Sequence, residues 1–283
     1  MIRRFNYFRK FLIVFGVACF VLFSGDVNAK KKSSDLTVHF IDVGEGDSTL
    51  LTCGNEAMMV DFGVGENKEN LLRYVKSQGV KKLKYAVGTH PHGDHMGAMS
   101  HIIKNIPIRK IMLTRHDSDE PFYKRTIRDI KQYHIPVIHP RPGAKFRLGK
   151  AKIKVLAPIG TNYDRDNDYS LVLKVTYKKI SFLLMGDAEI TSEKEMLKRY
   201  KHTLKSTVLK VGHHGSKTSS SKKFIKAVGP GCAIVSVGPN KFGHPHDKVL
   251  NRYRRMGIRV KRTDVHGTIV ARTNGRKIYW SYR

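Results

Sequence analysis

Thr89-His90-Pro91-His92-Gly93-Asp94-His95-Met96-Gly97 gathers three histidines and a carboxylate on a few consecutive positions, and the apolar run 83–87 leads straight into it. A short apolar run reads as a strand, and Gly88 with Thr89 turns the chain, so a strand hands its side chains to a loop. Imidazole nitrogens suit zinc and neighbouring transition metals, and Asp94 adds a hard oxygen donor. The loop therefore carries the donors for one half of a two-metal hydrolytic site. A solvated turn accounts for two histidines, but three at alternating positions around an aspartate point to ligand chemistry.

Other strand ends carry residues of the same kind. The run 183–185 leads into Gly186-Asp187, the run 208–211 into Gly212-His213-His214-Gly215-Ser216, and the run 58–60 into Asp61-Phe62-Gly63. On a layered α/β scaffold such loops collect at one end of the strands. A Gly-Asp turn has a purely structural use as well, so the weight lies in the combination. Asp187 is placed to bridge two ions. Asp61 either orients a ligand histidine through its second ring nitrogen or caps the turn that follows. Asp42 and Asp47 flank two glycines and read as structural or outer groups.

The periodicity predicts further strands at 36–43, 49–53, 57–61, 108–114, 153–156, 170–177, 181–186, 207–211 and 232–237. It predicts helices at 67–78, 121–133, 191–201, 221–228 and 249–256, and a terminal hairpin over 268–282 turning at Asn274-Gly275. No internal repeat or low-complexity block interrupts the alternation, which is that of a layered α/β domain covering 35–283.

Of the 283 residues 40% are hydrophobic, enough for a proper core, and the formal net charge is +30. Charge of that size points to polyanionic surroundings such as nucleic acid, anionic wall polymer or anionic lipid. Arg3, Arg4, Arg9 and Lys10 precede an apolar stretch at 11–23, and Val27-Asn28-Ala29 follows as a small-residue cleavage site. Residues 1–29 read as a secretory signal and 30–34 as a basic linker, with an uncleaved anchor as the alternative. Removing 1–29 takes four bases and one acid and leaves a mature charge of +27. The expected setting is extracellular, without a membrane span after cleavage and with retention at the wall by charge. Cys53 and Cys232 remain, and two separate buried cysteines are expected. The oligomeric state stays open.

With these stretches in place, the chain resembles the metallo-β-lactamase-fold hydrolases and, within them, the hydrolase domain of the competence (DNA-uptake) protein ComEC. The likeness runs over about 38–268 and rests on seven ordered motifs. They are Phe40-Ile41-Asp42-Val43-Gly44-Glu45-Gly46-Asp47, the stretch 89–97, Asn167-Asp168-Tyr169-Ser170-Leu171-Val172-Leu173, Leu184-Met185-Gly186-Asp187, Lys210-Val211-Gly212-His213-His214-Gly215-Ser216, Val237-Gly238-Pro239-Asn240 and Gly243-His244-Pro245.

The resemblance implies a four-layer αββα sandwich with two divalent ions, zinc first and manganese second. His90 and His92 would hold one ion and Asp94 and His95 the other. Asp187 would bridge, and His213 would complete the second site, preferred over His214 because it lies nearer the strand end. The wider fold supplies another histidine before the bridging aspartate. His101, His116, His134 and His139 fall in that interval outside any ligand motif, and Asn167 with Ser170 stands there instead.

Asp94 and His244 are the expected catalytic groups, His244 giving a proton or hydrogen bond to a phosphate oxygen; the plain alternative is a rigid Gly-Pro loop. Asn167, Ser170, His214, Ser216 and Lys217 are expected at the substrate, and Lys210, Lys222 and Lys223 either contact phosphate or are solvated. The function expected is a secreted phosphodiesterase acting on extracellular DNA. The alternatives are an enzyme cutting teichoic acid or its phosphorylcholine groups, and a non-catalytic module holding polyanions.

Overall fold

The computed structural model describes residues 35–283. Its strands in chain order are β1 (Leu36–Phe40), β2 (Ser48–Cys53), β3 (Glu56–Phe62), β4 (Tyr85–Gly88), β5 (Ile111–Leu113), β6 (Val137–Ile138), β7 (Lys145–Leu148), β8 (Ala151–Ala157), β9 (Val172–Tyr177), β10 (Ile180–Leu184), β11 (Val208–Lys210), β12 (Cys232–Val235), β13 (Arg259–Arg262), β14 (Ile269–Thr273) and β15 (Ile278–Tyr282). They form an eight-stranded sheet, β15-β14-β1-β2-β3-β4-β5-β6, and a seven-stranded sheet, β13-β12-β11-β10-β9-β8-β7.

Alternation along each strand decides what it faces. In β1, Leu36, Val38 and Phe40 enter the core between the sheets, where they meet Val175, Phe182 and Leu184 from the other sheet. His39 points the opposite way, and its Nδ1 lies 2.8 Å from the Tyr74 hydroxyl. β10 is buried on both faces, which explains the apolar run Phe182-Leu183-Leu184: Phe182 and Leu184 face the inter-sheet core and Leu183 the helices behind.

The helices are α1 (Lys68–Ser77), α2 (Gly93–Met96), α3 (Met99–Asn105), α4 (Pro121–Gln132), α5 (Ile190–Tyr200), α6 (Lys222–Val228), α7 (Asp247–Arg255) and α8 (Thr263–His266). Leu71, Val75, Ile102, Ile103, Tyr123 and Ile130 pack α1, α3 and α4 onto the eight-stranded sheet. Met196, Phe224, Ile225, Val228, Val249 and Tyr253 pack α5, α6 and α7 onto the other. The layers therefore run helix, sheet, sheet, helix, the αββα sandwich that the motifs imply. α6 shows how local chemistry sets the limits: the Ser221 side chain accepts from the Phe224 N–H at 3.3 Å, and Gly229, at φ 54°, ends the helix.

Strands β3, β4, β5 and β6 run parallel, as do β10, β11, β12 and β13. Their C-terminal ends carry the candidate ligands. The sequence does not announce β7 or β13, because Lys145-Phe146-Arg147-Leu148 and Arg259-Val260-Lys261-Arg262 are edge strands rich in charge. The secretory signal and linker read at 1–34 lie outside the described residues. Among the described residues no helix is long and apolar enough to cross a membrane. Cys53 and Cys232 are both buried, with no disulfide between them.

Candidate metal centre

β3 and β4 lie side by side and parallel, so Asp61 at the end of one sits against the loop leaving the other. The Asp61 carboxylate accepts from the Thr89 N–H and from the Thr89 hydroxyl, both at 2.9 Å, and lies 2.9 Å from His95 Nδ1. With its hydroxyl proton given to Asp61, Thr89 Oγ1 accepts from His90 Nδ1 at 3.1 Å. These bonds hold Nδ1 of both histidines in use and leave Nε2 of His90 and His95 facing inward. Asp61 thus holds the His95 ring by its Nδ1.

β10 and β11 are likewise parallel, with Leu184 opposite Lys210, and bring Asp187 beside His213 and His214. Gly186 makes the approach possible: a Cβ there would stand 2.8 Å from Thr89 Oγ1, and its φ of 52° favours glycine. Asp187 takes the central position. Its Oδ1 is 3.1 Å from His95 Nε2, and its Oδ2 is 3.5 Å from His214 Nε2 and 4.0 Å from His90 Nε2. His214 Nε2 also lies 3.1 Å from Asp94 Oδ2. On the other side, His90 Nε2 and His92 Nδ1 are 3.0 Å apart.

The adjacent histidines divide their work differently from the expectation. His213 and His214 both hold left-handed backbone, at φ 47° and 49°, a conformation that costs non-glycine residues about 1–3 kcal/mol each. The two rings stand 74° apart. His214 Nδ1 bonds the Ser236 carbonyl at 2.9 Å, which turns Nε2 into the cluster. His213 Nδ1 lies 2.9 Å from Glu189 Oε1, and its Nε2 stops 3.9 Å from Asp187 Oδ2. His214, expected at the substrate, therefore stands with Asp94, His95 and Asp187, and His213, expected as the ligand, stands beside them.

Ligand atoms of Asp94, His95, Asp187 and His214 all lie within 4.8 Å of one another, a spacing that donors around one ion at about 2 Å require. His95 Nε2 and Asp187 Oδ1 are buried and face each other at 3.1 Å, yet neither makes a well-aligned hydrogen bond among the described residues. The donors fit a metal ion. The charges agree with this. Burial disfavours charge throughout, but Asp187, Asp61 and Asp94 raise the His95 imidazole well above its ordinary range, and Asp187 and Asp94 raise His214. Those histidines in turn hold Asp187 and Asp94 well below theirs. Burial and His95 keep His90 low. Carboxylates and imidazoles that hold one another charged in a buried cluster are the setting in which a divalent cation would replace imidazolium protons.

Several residues occupy other places than the sequence suggested. Ser170 is fully buried and its hydroxyl accepts from the Asp187 N–H at 3.1 Å, so it positions Asp187 instead of meeting substrate. Asn167 donates to Glu189 at 3.1 Å, and Ser216 bonds Thr218 at 3.0 Å under the loop. Lys217 lines a cleft of about 520 Å³ with Arg165, Glu189 and Thr218. Lys210 does not reach solvent: its ammonium lies 2.6 Å from buried Asp47, which accounts for the second acidic group, Asp47, Asp61 and His95. His244 forms a wall, its ring 5.1 Å from that of His213 and its Nδ1 3.5 Å from Glu45.

Among the described residues no middle histidine joins the cluster. His116 approaches indirectly: its Nε2 lies 2.8 Å from Asp166, whose other oxygen is 3.5 Å from His92 Nε2, and its ring stacks on Tyr169 at 3.9 Å. Glu189 and Asp166 are the site residues that sequence reasoning missed. A carboxylate two positions past Asp187 was the available signal for Glu189.

The profile of the metallo-β-lactamase superfamily matches residues 41–238. ComE operon protein 3 of Bacillus subtilis (strain 168) is 29% identical over 288 residues, 94% of this chain and 37% of that protein. Competence protein ComA of Neisseria gonorrhoeae is 30% identical over 230 residues, 81% of this chain and 31% of that protein. The chain spans about a third of the length of these relatives. Among solved structures, the metallo-β-lactamase fold protein YhfI from Bacillus subtilis has a TM-score of 0.56 at 13% identity, over 84% of this chain and 100% of that one. CmlA, a diiron β-hydroxylase from Streptomyces venezuelae, has a TM-score of 0.57 at 12% identity, over 85% of this chain and 54% of that one. At such identities the structural likeness concerns the fold alone.

Proposed function

This chain belongs to the metallo-β-lactamase superfamily, and from that premise we propose that it is a metal-dependent phosphodiesterase whose substrate is DNA outside the cell. The observation that carries the proposal is the convergence of His95, His214, Asp94 and His90 on Asp187. The net charge of +30 favours a phosphodiester polyanion over a neutral lactam. The order of bases, apolar run and small residues in 1–29 supports export.

His90 and His92 would hold one ion, Asp94, His95 and His214 the other, and Asp187 both. Imidazole-rich donors make zinc the first candidate and manganese the second. When bound, the ions lower the pKa of a water and offset charge on the phosphate. The chain's own groups do the rest. Thr89 and Asp61 fix the imidazoles, and the Ser170 hydroxyl fixes Asp187 through its backbone N–H. Glu189 accepts from His213 Nδ1 and leaves the half-buried Nε2 turned to the site; with the ring in its imidazolium form, that nitrogen would deliver its proton to the departing oxygen and return to the neutral ring. That role falls to His213 more directly than to His244, which stands behind it.

The test is hydrolysis of bis-p-nitrophenyl phosphate and of single- and double-stranded DNA by the purified protein with zinc or manganese, beside Asp187→Ala. DNA cleavage lost in Asp187→Ala supports the proposal. Cleavage of the small diester alone redirects it to wall polymers, and bound metal without turnover of any diester leaves a polyanion-holding module.

A further inference from the structure

At the end of the second sheet away from β13, β7, β8 and β9 form its antiparallel edge, with β9 beside β10. Their register sets Lys145 opposite Lys154 and Arg147 opposite Lys152. On the next strand Lys174 stands opposite Lys154, and Thr176 opposite Lys152. The intervening residues Ile153, Val155, Leu173 and Val175 face the inter-sheet core, so five cations share the opposite face in two cross-strand rows. A cavity of about 760 Å³ runs along this edge, and no carboxylate lines it.

Like charges directly opposed across a sheet destabilise it, and neighbouring strands stand only about 4.8 Å apart. The chain repeats the arrangement in three pairs. The ladder is also anchored: Lys174 Nζ donates to the Thr203 and Lys205 carbonyls at 2.5 and 2.7 Å, and Lys154 Nζ lies 4.7 Å over the Tyr200 ring. Guarding an open edge against pairing with another chain needs charge on β7 alone. It gives no reason for cations in register on β8 and β9.

We propose that this cross-strand ladder is a second binding site, which holds the phosphate backbone of DNA away from the bond being cut. The proposal rests on DNA being the substrate. A row of cations with no acid among them suits a line of phosphates, and neutralising them there releases counterions. The ladder would therefore act on long substrates and leave small diesters untouched.

The experiment compares the protein with Arg147→Gln/Lys152→Gln and, as a control for net charge, Lys76→Gln/Lys131→Gln on exposed helix positions. Binding of a fluorescent oligonucleotide is followed by anisotropy against salt in chelator, alongside bis-p-nitrophenyl phosphate turnover with metal and thermal melting. Affinity should fall about tenfold in the ladder variant, with a salt slope shallower by about two. The control should change little, small-diester turnover should be kept, and the ladder variant should melt no lower than the parent. Unchanged affinity beside a parent that binds DNA overturns the ladder alone. Equal losses in ladder and control variants, or a lower melting temperature, assign the cations to general charge or to structure. A parent that neither binds nor cuts DNA overturns the substrate proposal and the ladder together.

Discussion

Asp61 and His95 meet at 2.9 Å, carboxylate Oδ2 to imidazole Nδ1, and both are buried. The pair fixes which nitrogen of His95 faces Asp187. Partners of ligand histidines typically govern metal affinity by 10–100-fold. Asp61→Asn keeps a side chain that tolerates the φ of 57° found there but removes the charge. The variant should fold and bind metal about 10–100-fold more weakly, read by competition with a chromophoric chelator. Parental affinity would contradict the role given to Asp61.

Neighbouring histidines with different partners should fail differently. His214→Ala should lose about one equivalent of metal, because its Nε2 lies among Asp94 and Asp187. His213→Ala should keep its metal and lose about 10²–10⁴-fold in kcat, the span of a proton-transfer group. Metal content by atomic spectroscopy and turnover of the small diester decide it. Metal loss in His213→Ala with full occupancy in His214→Ala would reverse the assignment.

Burial and the charge of Arg283 bring the His39 pKa down to about 4 from 6.5. Between those values the unfolded chain takes up a proton that the fold excludes. The contribution is therefore full above about pH 6.5 and is lost as pH falls towards 4, roughly 3 kcal/mol across the window. His39→Gln, which has nothing to titrate there, should lose less stability than the parent between pH 7 and 4.5. Melting curves that shift in parallel for the two proteins would remove His39 from the account.

Lys210 and Asp47 form a buried ion pair at 2.6 Å beneath the centre. Lys210→Met strands a carboxylate in the interior and should cost about 3–5 kcal/mol. Adding Asp47→Asn should recover part of that loss. Urea unfolding of the two single variants and the double variant gives the coupling directly. Additive losses would mean that the pair does not act as a unit.

The candidate donors closest in sequence were the easiest to read as one group, because His90, His92, Asp94 and His95 hang from one turn and their spacing is their geometry. Asp187 was legible for a related reason, a carboxylate straight after a buried strand. The order of His213 and His214 was not. Distance from the strand end favoured His213, but backbone dihedrals aim the rings, and two left-handed residues in succession turn His214 inward. Contacts between distant segments, Asp166 with His116 and Glu189 with His213, leave no periodic trace. The fold shows the same division. Amphipathic helices and core strands carry their pattern in the chain, whereas β7 and β13 hide theirs because an edge strand is held by one neighbour and need not be apolar.

The candidate donors from His90 to His95 belong to one sheet and Asp187 and His214 to the other, with Gly186 pressed against Thr89 between them. An ion held there would act as a rivet across the sandwich. During synthesis the donors after β4 would wait for those after β10 and β11 before any rivet could be set, so loading would report that the two sheets have met. A chelator should then do more than silence the chemistry: by drawing the rivet it should let the two plates part at lower temperature.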